Sequence, residues 1–187
     1  YTLDTLHYRP CFICHFHFLR DIGKDFLDPA YSLLRNRLRH HATHSRLSTL
    51  VRETRQILIA KNSDTTLLVK TFRTEGSQPI DKDILPIVMT YSLAQWVLRG
   101  KHTGDGYGFP FDRPLLEFAE RLLELERRLP EILSIILSGN RQNSHHLSKL
   151  SHEISKASKD VILRQAVEEL RWRCRIFDQL RKSMRIA

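Results

Sequence analysis

The sequence predicts a mainly α protein: an antiparallel helical bundle with one or a few short strands near its N-terminus. Three observations carry that expectation. Apolar residues recur every three or four positions through most of the 187 residues, the period of a helix with one buried face. Prolines and glycines gather at a few points, which separates long periodic segments from one another. One short continuous apolar run, Cys11-Phe12-Ile13-Cys14, has the length of a buried strand.

From His15 the pattern becomes helical, with Phe18, Leu19, Ile22, Phe26 and Leu27 on the expected stripe and Gly23 as a weak point that need not break it. Asp28-Pro29 reads as a stop and restart, with Asp28 as N-cap and Pro29 in the first helical position. A long helix is then expected to about Lys61, on Ala30, Leu34, Leu38, Leu47, Leu50, Thr54, Ile57 and Leu58. Residues 62–80 are polar and irregular, with a short strand or ordered loop at 65–72. Asp81 or Asp83 caps the next helix, which carries Pro86 in its first turns and ends near Gly100. The stretch GKHTGDGYGFPFDRP, residues 100–114, is too rich in glycine and proline for regular structure. Asp112 or Arg113 caps a helix striped by Leu115, Phe118, Ala119, Leu122, Leu125 and Leu129, which Pro130 kinks or restarts. Residues 138–144 form a turn. The remainder, Ser144 to about Arg185, is one long helix or two collinear ones. Leu147, Leu150, Ile154, Ala157 and Val161 set one register, and Leu163, Val167, Leu170, Cys174 and Phe177 set another. The shift predicts a bend or a change of packing partner near residue 162. Trp96 and Trp172 are expected in the core.

The hydrophobic fraction of 41% marks a globular chain. No apolar run approaches the roughly 18 residues of a membrane span, no signal peptide is expected, and an odd cysteine count of 3 argues against a secreted disulfide framework. A cytoplasmic protein without a membrane partner is the expectation, and the absence of an initiator Met suggests a piece of a longer one. The net charge of +9 is uneven. Residues 1–61 carry 10 Lys and Arg against 5 Asp and Glu, residues 62–140 carry 9 against 11, and residues 141–187 carry 11 against 5. Basic ends suit phosphate contact, because neutralising phosphates releases counterions.

Several groups could carry chemistry. Cys11, Cys14, His15 and His17 are zinc-capable, but a closed site needs four convergent ligands and a strand would turn Cys11 and Cys14 to opposite faces. His40, His41, His44, His145 and His146 could complete such a site only through folding. A cysteine nucleophile fits poorly, since apolar surroundings raise a thiol pKa. GDGYG at 104–108 lacks the Gly-Lys-Ser/Thr of a phosphate loop. Glu117, Glu120, Glu124, Glu126 and Glu131, with Arg121, Arg127 and Arg128, read as a salt-bridged solvent face. Arg164, Arg171, Arg175 and Lys182 share one helix face and form the candidate DNA-binding stripe.

The segment CHFHFLRDIGKDF, residues 14–26, resembles the C-x-x-H segment of bacterial insertion-sequence transposases of the DDE class, mutator-like enzymes with an RNase H-like core. GFPFDRPLLEF, residues 108–118, is similar to a segment of the helical insertion in that family. The resemblance implies that residues 1–28 are the edge of the catalytic core, a strand plus a helix, and that residues 29–187 are an all-α insertion domain. It implies structural roles for Cys14 and His17 and for the motif loop Gly108, Phe109, Pro110, Phe111 and Asp112.

Such enzymes cut and join DNA with three carboxylates that hold two divalent metals. Mg2+ or Mn2+ is thus implied for the parent enzyme, with no cofactor or metal site in this segment. The family pattern places the acids before the C-x-x-H strand and after the insertion. No catalytic residue is therefore assigned here, and the segment lacks the complete triad. The implied partners are DNA at transposon ends and a second copy of the chain as a homodimer. A non-enzymatic helical interaction module and a small zinc-dependent nucleic-acid binder are the rival readings.

Overall fold

A computed structural model describes residues 15–61, 83–137 and 144–184. Six α-helices make up most of them: α1 (His15–His40), α2 (Thr43–Ala60), α3 (Leu85–Arg99), α4 (Pro114–Leu137), α5 (His145–Ser158) and α6 (Val161–Ser183). A 3-10 turn, Gly100–His102, follows α3. The mainly helical expectation holds, and no strand occurs among the described residues. The strand expected at 11–14, the segment 62–80 and the turn at 138–143 lie outside them. No helix among the described residues is long and apolar enough to cross a membrane.

The core is one contiguous cluster to which all six helices contribute, with α4 in contact with four of the others. Helix α1 packs on α6, α2 packs on α3 and α5, and α4 touches α1, α3, α5 and α6. The fully buried leucines trace this arrangement: Leu27 and Leu34 on α1, Leu47 and Leu50 on α2, Leu122 on α4, Leu147 and Leu150 on α5, and Leu163 and Leu170 on α6. At roughly 1.5–3 kcal/mol for each side chain taken from water, such positions are the main driving force for the bundle. A smaller cluster of Leu58, Ile87, Val88 and Tyr91 closes the far end of the α2–α3 contact.

Two sequence expectations about helix boundaries change, at Asp28-Pro29 and before Lys61, and two are resolved between their alternatives, at Pro130 and near residue 162. Asp28-Pro29 is not a stop, because α1 runs through it. Proline removes one donor from the ladder, the one that would reach the Asp25 carbonyl, yet α1 stays continuous while Leu27, Ala30 and Tyr31 on either side of it are buried in the core. The boundary at 28/29 therefore falls inside a continuous helix. The long helix to Lys61 is instead interrupted at His41–Ala42, where Ala42 adopts a left-handed φ of 50°. Helix α4 continues through Pro130 without restarting. The C-terminal segment is two helices that change packing partner, α5 against α2, α3 and α4, and α6 mainly against α1. The first register ends at Ala157, which leaves Val161 63% exposed. Trp172 is also 59% exposed rather than in the core, because the α6 face beside Leu170 and Cys174 turns outward.

One carboxylate organises two of these breaks. Asp160 ends the α5–α6 link and accepts from the backbone N–H groups of Ile162 and Leu163 at 2.9 and 3.2 Å, capping α6. Its other oxygen accepts from Arg37 Nε at 2.8 Å and from His41 Nε2 at 2.7 Å. The side chain is 6% exposed. Burial raises the Asp160 pKa, but the hydrogen bonds from His41, Arg37 and Leu163 and the charge of Arg37 outweigh it and hold the carboxyl at about 2. A depressed folded-state pKa gives stability that is present above the unfolded value near 4 and is lost as pH falls through about 2. Replacing Asp160 with Ala removes the cap and strands Arg37, at a cost of about 3 kcal/mol. Urea melts at pH 7 should show that loss. The gap between wild type and variant should narrow as the pH is lowered from 4 towards 2. A variant as stable as wild type at pH 7 would show that the cluster is only a surface contact.

Candidate functional site

The two segments that resemble transposase motifs lie 80 residues or more apart in sequence, and they meet in space. Helix α1 passes the motif loop along the face that carries Leu19, Gly23 and Leu27, all buried. At Gly23 a Cβ would lie 2.5 Å from Pro110 Cγ and 2.5 Å from Phe177 Cε2. Around that contact an aromatic cluster forms. The Phe16 and Phe111 rings stack at 5.0 Å, Tyr31 and Phe109 lie 4.5 Å apart, and Phe111 meets Phe177 of α6 at 5.9 Å. Arg181 sits over the Phe111 ring at 5.3 Å. Burial shifts the Tyr31 phenol pKa upward.

Of the two expected caps, Asp112 or Arg113, Arg113 stands directly before α4 and its carbonyl accepts from the Leu116 N–H at 3.0 Å, whereas Asp112 holds its own loop together. Its carboxylate accepts from the backbone N–H groups of Asp105 at 2.8 Å and Gly108 at 2.6 Å. The N–H of Asp105 contributes most to lowering the Asp112 pKa; burial opposes it, and the N–H groups of Gly108, Gly106 and Tyr107 add to the lowering. The turn is tight enough that Gly104, Gly106 and Gly108 all have positive φ, a conformation that side chains resist. The Phe109–Pro110 peptide bond is cis. Arg113 ties the end of the loop to α6 through both Asp178 oxygens at 3.0 Å. The motif loop is thus a rigid wedge between α1 and α6, with chemistry spent on its own backbone.

The basic stripe divides. Arg164 reaches Glu126 of α4 at 3.5 Å, and Arg171 reaches Glu120 at 2.7 Å. Arg175 and Lys182 remain exposed. The expected acidic face of α4 is therefore paired within itself, as Glu117–Arg121 at 2.8 Å and Glu124–Arg128 at 2.5 Å, and also with α6. Between the two helices lies a groove of about 510 Å³ bounded by Trp96 of α3, Glu120, Glu124, Arg164 and Arg171.

His17 is exposed on the first turn of α1, and Cys14 and Cys11 lie outside the described residues. His41 is engaged by Asp160, and His145 stacks edge-on against His146. Among the described residues no three His, Cys, Asp or Glu converge to hold a metal ion, so none of them fits the metal pair implied for the parent enzyme. Cys174 is buried in α6, and burial raises its thiol pKa. That is the environment of an inert core thiol.

Sequence reasoning missed Gly23 and Phe177 as partners. The signal was present: Leu19, Gly23 and Leu27 are spaced by four, so the glycine shares the buried stripe. Phe18 and Ile22, assigned to that stripe, are exposed instead, at 38% and 37%. No family model, curated protein or solved structure matches this chain.

Gly23→Ala tests the wedge. In an exposed helix interior alanine stabilises by roughly 1 kcal/mol. Here the added Cβ collides with Phe177 and Pro110, and overpacking of this kind costs about 1–3 kcal/mol. Thermal melts should show a lower midpoint for the variant. An unchanged or higher midpoint would mean that α1 and the loop are not in contact.

Proposed function

We propose that this chain is a segment of a DDE-class DNA transposase. Its helices form an insertion that contributes to holding transposon ends and assembling the complex, while the cutting and joining of DNA belong to acids elsewhere in the parent enzyme. One observation supports this reading above the others. The CHFHFLRDIGKDF and GFPFD segments, singled out in the sequence by resemblance alone, pack on each other around Gly23, Pro110 and Phe111. Chance similarities have no reason to meet at one packing contact. The basic excess of the two ends agrees with a role against DNA phosphates.

The segment's contribution is positional. The wedge fixes the start of α1 against α6. Mg2+ or Mn2+ supplies the charge stabilisation of phosphate attack in the parent, and no step of that chemistry is carried by residues described here. A helical interaction module is the competing reading. It is favoured by Trp172 and Ile176, exposed one turn apart on α6 at 59% and 42%.

Binding to duplex DNA across a salt series separates the two. A DNA-handling segment should bind non-specifically in the micromolar range at low salt and weaken linearly in log–log form as salt rises. With Mg2+ or Mn2+ the segment alone should leave supercoiled plasmid intact. Absence of duplex binding at 50 mM salt would favour the interaction module. Nicking that a single Asp or Glu substitution abolishes would place the catalytic acids inside this chain after all.

A further inference from the structure

A second concavity, of about 380 Å³, opens where the end of α1, the start of α2, the 3-10 turn and α4 converge. Its walls carry Arg35 and Arg39 from α1, His44 from α2 and Lys101 from the 3-10 turn, over an apolar floor that includes Leu38 and Phe118. No carboxylate lines it. Arg37, Arg113, Arg164, Arg171 and Arg173 each meet an acid at 3.5 Å or less. Arg39 and Lys101 meet none among the described residues, and Arg35 lies over the Tyr31 ring at 5.1 Å instead.

The uncompensated charge is felt inside the pocket. Burial lowers the His44 pKa, and the positive charges of Lys101 and His102 push it down further. The backbone adds to the same field. Helix α2 begins at the left-handed Ala42 and has no side-chain cap, and Ala42, His44 and Ser45 line the cavity, so the positive end of the helix dipole lies beside it. Three cationic side chains and an uncapped helix start in one cavity repel each other unless an anion completes the set.

We propose that this pocket binds a phosphate group, of the kind presented by a nucleic-acid backbone. Phosphate offers several acceptor oxygens and matches both the guanidinium forks and a helix N-terminus. The nucleic-acid source rests on the transposase reading above; the phosphate site does not. It also moves the contact away from the α6 stripe, half of which is neutralised by Glu120 and Glu126.

The test uses the full chain and two probes. The first is a fluorescently labelled 20-base-pair duplex, followed by anisotropy over a salt series. The second is inorganic pyrophosphate, followed through the backbone amide resonances of His44 and Ser45. The variants are Arg39→Gln with Lys101→Gln and, for comparison, Arg175→Gln with Lys182→Gln, each checked for unchanged helix content. For the pocket pair the log–log salt slope should fall by up to about 1.8, at roughly 0.9 per lost contact. Pyrophosphate should shift the Ser45 amide in wild type and not in that variant. The α6 pair should change the slope less. A slope lost only in the α6 pair, or a Ser45 amide indifferent to pyrophosphate, would overturn the pocket while leaving DNA binding intact. Pyrophosphate binding that depends on Arg39 and Lys101, in a chain that ignores duplex, would support the phosphate site and remove the DNA reading. A chain that binds neither probe would overturn both.

Discussion

The ring of Phe177 rests on the backbone of α1 at Gly23, in a space that any Cβ would fill. The first turns of α1 are thereby brought against α6, and Pro110 is drawn into the same contact. The aromatic cluster around Phe16, Tyr31, Phe109 and Phe111 then has a floor to pack on. A helix–helix approach as close as this needs a small residue at the crossing, and glycine meets that need at a cost in helix propensity of about 1 kcal/mol. The burial of Phe177, Leu27 and Leu19 offsets that cost several times over. The loop's own carboxylate, Asp112, keeps the wedge rigid by holding its backbone N–H groups, which leaves the side chains of Phe109, Pro110 and Phe111 free to face the helices.

At the other end of α1 the constraint is polar. Asp160 binds Arg37 and His41 while capping α6, so the same pair of helices is clamped at both ends by unrelated chemistry. The chain turn at His41–Ala42 lies beside that clamp. It sends α2 away towards α3 and α5 and leaves the start of α2 without a side-chain cap beside Arg39 and Lys101. The phosphate pocket is a by-product of that turn: the cap residue is an alanine, which can neither satisfy nor neutralise the helix start. Geometry that secures the fold at Asp160 thus leaves positive charge unsatisfied one helical turn away.

Much of the helical body could be read from spacing. The stripes on α2, α4 and α6 are buried almost position for position, because long amphipathic helices with leucine every three or four residues have one way to shed water. Boundaries were less legible. Asp28-Pro29 has the signature of a helix start, but α1 runs through it because Leu27, Ala30 and Tyr31 are held in the core on both sides of the proline. Ala42 carries no signal for a left-handed turn, and the partner that holds the neighbouring His41 and Arg37, Asp160, lies more than a hundred residues later. On the functional side, spacing put Arg164, Arg171, Arg175 and Lys182 on one face but could not show that Glu120 and Glu126 face the first two. The basic pocket was invisible in sequence because its cations come from two elements about 60 residues apart, α1 and the 3-10 turn.

The close approach of α1, the motif loop and α6 can be observed without altering the protein. In an isotope-edited NOE spectrum the Gly23 Hα protons should give strong cross-peaks to the Phe177 ring and to Pro110. They should also resonate upfield, under the aromatic ring current. Cross-peaks between the Phe16 and Phe111 rings should accompany them. A Gly23 with random-coil shifts and no cross-peak to Phe177, in a chain whose other helices are intact, would contradict the packing from which the functional reading is drawn.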